Sequence, residues 1–154
     1  MQVKLKNKQM SVKTMKVKFK SKSSSGQHLL DEELWRDFLN HYEKKLEINR
    51  MPQISFEDDE ENASNSLGKT AFYNPEKLEV VVYVTGRHPK DILRSIGHEL
   101  CHHKQNERGD LSNQNFEEGY TQSNNHLRSM EEEAYKIGGG LLFRDWEDGY
   151  KARK

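Results

Sequence analysis

Two histidines four residues apart, with a glutamate between them, restrict this chain more than any other feature it has. They lie in the run His98-Glu99-Leu100-Cys101-His102. On an α-helix, residues four apart lie on one face, one turn apart. On a wheel of about 100° per residue, Ile92, Leu93, Ile96 and Leu100 gather on one side. His98 and His102 fall on the opposite side, and Glu99 stands one step round from His98. The helix therefore has an apolar face for a core and a histidine face for a cleft. Two imidazoles one turn apart can reach a single Zn²⁺ at about 2.0–2.1 Å. A carboxylate beside that position can take a proton from a metal-activated water and return it to a leaving group.

The surroundings give a fold class. Pro89 suits the first turn of the histidine helix, which is expected to run to about Gln105. Before it, Ala71-Phe72-Tyr73 and Leu78 to Val84 flank the turn sequence Asn74-Pro75-Glu76-Lys77 and predict a hairpin. The run Val80-Val81-Val82-Tyr83-Val84 is β-branched or aromatic throughout, as a well-covered strand should be. This strand leads into the histidine helix and is expected to offer an edge for an extended peptide. Ile54-Ser55-Phe56 predicts a third strand. Leu30, Leu34, Phe38, Tyr42 and Leu46 recur every four residues and predict an amphipathic helix over 29–48. The expected fold is α+β: an N-terminal helix, a small twisted sheet of about three strands, the histidine helix and a C-terminal helix.

That last helix is expected from near His126 toward Phe143, and it carries Glu131, Glu132 and Glu133. Its apolar stripe comprises Leu127, Met130, Ala134, Ile137 and Leu141. The wheel sets Glu131 at the stripe's edge and turns Glu132 and Glu133 outward. Glu131 is thus the expected third ligand, and two imidazoles with one carboxylate suit zinc best. His126 is the alternative third ligand. The glycines of Gly138-Gly139-Gly140 are poor helix material. They either end the helix or let it approach the histidine helix near Gly97.

The chain of 154 residues is 32% hydrophobic and 32% charged. That is enough for one modest core with polar appendages. Its formal net charge of zero conceals an imbalance. Residues 1–30 hold eight lysines and no acid, leaving 17 basic and 25 acidic side chains in the rest. Residues 1–27 read as a basic arm, flexible or hairpin-forming, and 28–154 as the folded domain. Lysines within 1–25 could contact nucleic acid or an acidic surface, although Phe19 is the only aromatic residue there to stack on bases. Residues 57–66 are acidic and read as a loop, without the alternating acids and turn glycine of a calcium loop. Residues 106–126 read mainly as loop. No apolar run approaches the ~20 residues that span a bilayer, and no secretory signal is evident. With a single cysteine, Cys101, the expected location is the cytoplasm, or a virion if the chain is phage-encoded. Cys101 and His103 both read as packed side chains rather than ligands.

Taken together, these residues resemble the small gluzincin zinc metallopeptidases, the minigluzincins and the ImmA/IrrE-type enzymes. The matching elements are Tyr73-Asn74-Pro75 and the valine strand, then Gly97-His98-Glu99-Leu100-Cys101-His102-His103, then Glu131-x-x-Ala134 with Leu141-Leu142. The likeness spans roughly residues 29–145. It implies a zincin-like fold, zinc held by His98, His102 and Glu131, Glu99 as general base, and hydrolysis of peptide bonds. A metzincin is excluded, because Gln105 and Arg108 stand where its glycine and third histidine belong. A SprT-like protein would use His126, but the flanking sequence does not match that family. Tyr120, His126 and Tyr135 are the candidates for a donor to the developing oxyanion. The alternative to an enzyme is a zincin-like domain that binds metal for structure or regulation with little proteolysis.

Overall fold

Three consecutive buried valines set the architecture. In the computed structural model, which describes residues 17–19, 32–66, 68–111 and 120–153, Glu79–Tyr83 is a strand with Val80, Val81 and Val82 almost wholly buried. Such a strand needs neighbours on both sides and cover on both faces. Four strands make the sheet: β1 (Val17–Phe19), β2 (Gln53–Glu57), β3 (Ala71–Asn74) and β4 (Glu79–Tyr83). Their order is β1-β2-β4-β3, with β1, β2 and β4 parallel and β3 antiparallel to β4. The hairpin and the Ile54–Phe56 strand are as expected. The fourth strand, β1, comes from within the lysine-rich segment, whose other residues up to 27 lie outside the described ones. The edge differs from expectation. β4 is interior, and its hairpin partner β3 is the outer strand (Tyr73 opposite Val80, Ala71 opposite Val82).

The hairpin turn follows from Asn74, whose Oδ1 accepts the backbone N–H groups of Glu76 and Lys77. Leu78 completes it at a φ of 52°. Helix α1 (Glu32–Lys45) buries Phe38 and Tyr42 of the expected stripe, with Trp35 and Leu39 beside them, and half-buries Leu34. The acidic stretch is not all loop: Asp59 caps a short helix, α2 (Glu60–Ser64), by accepting from Asn62 N–H, and Glu60 and Glu61 fill its first turn.

Helix α3 (Pro89–Glu107) begins as the proline suggested, with the His88 ring accepting the Lys90 N–H. Its face of Ile92, Ile96 and Leu100 joins Phe38, Phe56 and Val82 in the core. Helix α4 (Tyr120–Glu133) starts six residues before His126, so part of the 106–126 segment is helical; residues 112–119 lie outside the described ones. The chain then passes through a π-helical segment, Ala134–Leu141, into α5 (Leu142–Arg153). Of the two expectations for the glycine triplet, close packing holds and termination does not. A Cβ on Gly97 would lie 2.5 Å from the Tyr42 hydroxyl and 2.6 Å from the Gly138 carbonyl oxygen. The Tyr42 hydroxyl donates to that carbonyl at 2.7 Å, joining three helical segments at one point. Trp146 of α5 is buried and donates to Asp37, so the Arg144–Asp148 segment anchors the helix. The described architecture is α+β. No helix among the described residues is long and apolar enough to cross a membrane.

Candidate metal centre

The α3–sheet packing turns the histidine face of α3 toward a cleft of about 820 Å³. β3 forms one wall through Ala71 and Tyr73, and Met130, Glu131 and Tyr135 form the other. His98, Glu99 and His102 lie between. His98 Nε2 is 3.2 Å from Glu131 Oε1, and His102 Nε2 is 3.0 Å from Glu131 Oε2. One donor atom from each of the three residues lies within 4.8 Å of the others. Ligand atoms at about 2.0–2.1 Å from a tetrahedral zinc sit roughly 3.3–3.4 Å apart, so these separations suit one ion. The two histidine side chains are largely covered, and Glu131 is half exposed.

The hydrogen bonds behind His102 settle which of its nitrogens faces the cleft with a lone pair. The Gln105 amide nitrogen donates to the Met130 carbonyl oxygen (2.9 Å) and to Glu133 Oε1 (2.8 Å). Gln105 Oε1 is therefore the atom facing His102 Nδ1, at 2.8 Å. An amide oxygen only accepts, so Nδ1 carries the hydrogen and Nε2 of the neutral ring presents its lone pair. That lone pair points at a carboxylate, which also has only lone pairs to offer. Such an arrangement calls for a cation or a proton between the groups. The donor set of two imidazole nitrogens and a carboxylate fits Zn²⁺.

Glu99 is 8% exposed and borders the cleft. Burial, then the charge of Glu131, pushes its carboxyl up to about 8. Burial likewise holds His98 below the ordinary histidine value, helped by His102 and opposed by Glu131.

The remaining expectations divide. Tyr135 is exposed, borders the cleft and meets the His98 ring edge-on at a centroid distance of 4.5 Å. His126 is drawn elsewhere: its Nε2 is 2.6 Å from the Asp110 carbonyl oxygen, and the three-ligand group is made without it. Tyr120 opens α4, and its side chain lies outside the described residues. Cys101 is buried and free, its thiol pushed up to about 12, first by burial. His103 is buried within a polar network. Its Nε2 faces the Arg50 carbonyl at 2.6 Å, and its Nδ1 faces the Tyr73 hydroxyl at 2.7 Å. Tyr73 in turn accepts from the Asn106 amide at 3.0 Å. These bonds fix the outer strand to α3 beside the cleft.

Sequence reasoning missed Gln105, Glu133 and Arg108. Arg108 donates to Glu133 at 2.8 Å, and this contact holds the Glu133 carboxyl below the usual range. A signal was present in the wheel. The stripe's centre lies about 80° from Glu131 and about 80° from Glu133 on its other side. Both acids therefore flank the buried face, and Glu133 is not turned outward. Gln105 stands three residues after His102, within reach on the same helix.

No family model, no curated protein and no solved structure matches the chain.

Proposed function

We propose that this chain is a zincin-like zinc metallopeptidase of the gluzincin kind, hydrolysing peptide bonds in a peptide or protein substrate. One observation carries the reading: His98, His102 and Glu131 converge in a cleft that Glu99 also lines and that is walled by an outer strand. The resemblance through Gly97–His103 and Glu131-x-x-Ala134 supports the same assignment.

His98, His102 and Glu131 hold the ion. Zinc supplies Lewis acidity when bound, polarising a carbonyl and acidifying a water. Glu99 takes the proton of the attacking water and passes it to the leaving amine. Its place on α3 next to His98, at the border of the cleft, puts it beside the metal position rather than on it. β3 gives an extended substrate backbone a strand to pair with, since among the described strands it pairs only with β4. Tyr135, at the cleft wall beside His98, is the group best placed to donate to the developing oxyanion.

Elemental analysis of protein purified without chelator tests the metal. Digestion of a mixed peptide library by wild type and Glu99→Gln tests the chemistry. Stoichiometric zinc, cleavage by the wild type and none by the variant are expected. Equal cleavage by both would sink the mechanism, and zinc without cleavage would leave a metal-binding domain.

A further inference from the structure

We infer that Gln105 is a positioning residue that sets two ligands of the metal centre at once: the tautomer of His102 and the placement of Glu131. The inference rests on the metal-centre reading above.

Gln105 is fully buried on α3, one turn beyond His102. A buried amide that bonded only locally would need no explanation beyond its own satisfaction. This one spends all its groups on the site. Its oxygen accepts from His102 Nδ1–H. Its nitrogen grips the backbone carbonyl of Met130, the residue directly before Glu131, and the carboxylate of Glu133, two residues after it. Glu131 is thus bracketed on α4 by two bonds from the side chain that also orients His102. Arg108 holds Glu133 from the outside at 2.8 Å and contacts Asp110 at the same distance, which fixes the far end of the chain.

The arrangement has a direction. Both hydrogens of the Gln105 amide are committed to acceptors, so the amide cannot reverse without facing its NH₂ toward His102 and its oxygen toward two other oxygens. His102 is held with Nε2 bare, the state a metal requires. Gln105 lies outside the H-E-x-x-H pattern and does not line the cleft.

The test uses full-length protein and zinc alone as ligand. Nitrogen chemical shifts of His102 are measured in metal-free wild type above about pH 8, where an ordinary imidazole is neutral. The Nδ1–H tautomer is expected, and a dominant Nε2–H form would overturn the inference without any variant. Gln105→Met keeps the volume and removes the acceptor. It is expected to lose the fixed tautomer and to bind zinc about 10–100-fold more weakly in competition with a chromophoric chelator. Gln105→Glu keeps the acceptor but loses both donors to α4, so it is expected to restore the Nδ1–H form without restoring zinc affinity. A Gln105→Met protein with wild-type zinc affinity and tautomer would also overturn it. If the wild type takes up no zinc, the metal-centre reading fails, and the tautomer measurement still decides whether Gln105 orients His102.

Discussion

Gly97 and Gly138 face each other with no room for a side chain on either. A Cβ on Gly97 would come within 2.6 Å of the Gly138 carbonyl oxygen, and a Cβ on Gly138 within 2.6 Å of the Gly97 carbonyl oxygen. The first glycine immediately precedes His98, and the second lies seven residues after Glu131. The contact therefore sets the separation of the two backbones that carry His98 and Glu131.

Gly97→Ala is expected to destabilise the protein by about 1–3 kcal/mol, the range for overpacking a tight interior. The obstruction is backbone and a buried hydroxyl, neither of which can swing away. Thermal unfolding of metal-free protein measures this. Zinc affinity should fall as well, because relief of the clash moves α3 away from Glu131. Tyr42→Phe should destabilise by about 0.5–1.5 kcal/mol through loss of the buried hydroxyl–carbonyl hydrogen bond.

Glu131→Ala removes one of the three groups that could hold a metal ion. Zinc affinity is expected to drop by more than the ~100-fold that bounds the loss of an outer-shell partner. Glu131 is half exposed, so the metal-free fold should be little affected. His126→Ala is the control: it should leave zinc affinity intact, since the ring bonds the Asp110 carbonyl. A stronger effect of His126→Ala than of Glu131→Ala on zinc would reverse the ligand assignment.

Much of this centre was legible because helices impose one period on everything they carry. His98, His102 and the apolar face of α3 follow from it, and so does the choice of Glu131 over Glu132. The hairpin was legible from Asn74-Pro75 and the valines. What escaped depends on partners that no local period encodes. Gln105 bonds to α4 behind His102, and a single sequence does not say which helix it will meet. The outer position of β3 depends on β2 pairing with the far side of β4, a contact between residues about 26 apart in sequence. The π-helical turn at Ala134–Leu141 is where glycine's weak helix propensity and a tight helix contact compete, and propensity loses.

Glu99→Gln should do more than remove the general base. Burial raises the Glu99 carboxyl to about 8 in the folded metal-free protein, against an ordinary value of 4.5. For an acid with a raised folded pKa, the stabilising contribution is fully present below 4.5 and is lost as pH rises toward 8. Glutamine has no charge to bury. The stability of the variant relative to wild type should therefore increase across that interval when zinc is absent. Denaturant midpoints measured at several pH values check this, and a flat difference would show that the carboxylate is solvated in the cleft.

The acid limb has the opposite sign. Burial lowers the pKa of His41 and His103 from 6.5, and the Arg108 contact lowers that of Glu133 from 4.5. Groups with depressed folded pKa values contribute stability above their unfolded values and lose it as pH falls through the folded ones. The metal-free protein should weaken first as pH drops below 6.5, from His41, His103 and the likewise depressed His98, and again below 4.5, from Glu133 and from Glu147, which Lys90 holds down. Arg108→Met removes the contact that holds Glu133 ionised, so the lower step should shrink while the upper one stays. Denaturant midpoints between about pH 7 and about pH 3 separate the two steps. An unchanged lower step in Arg108→Met would assign that loss to other carboxylates.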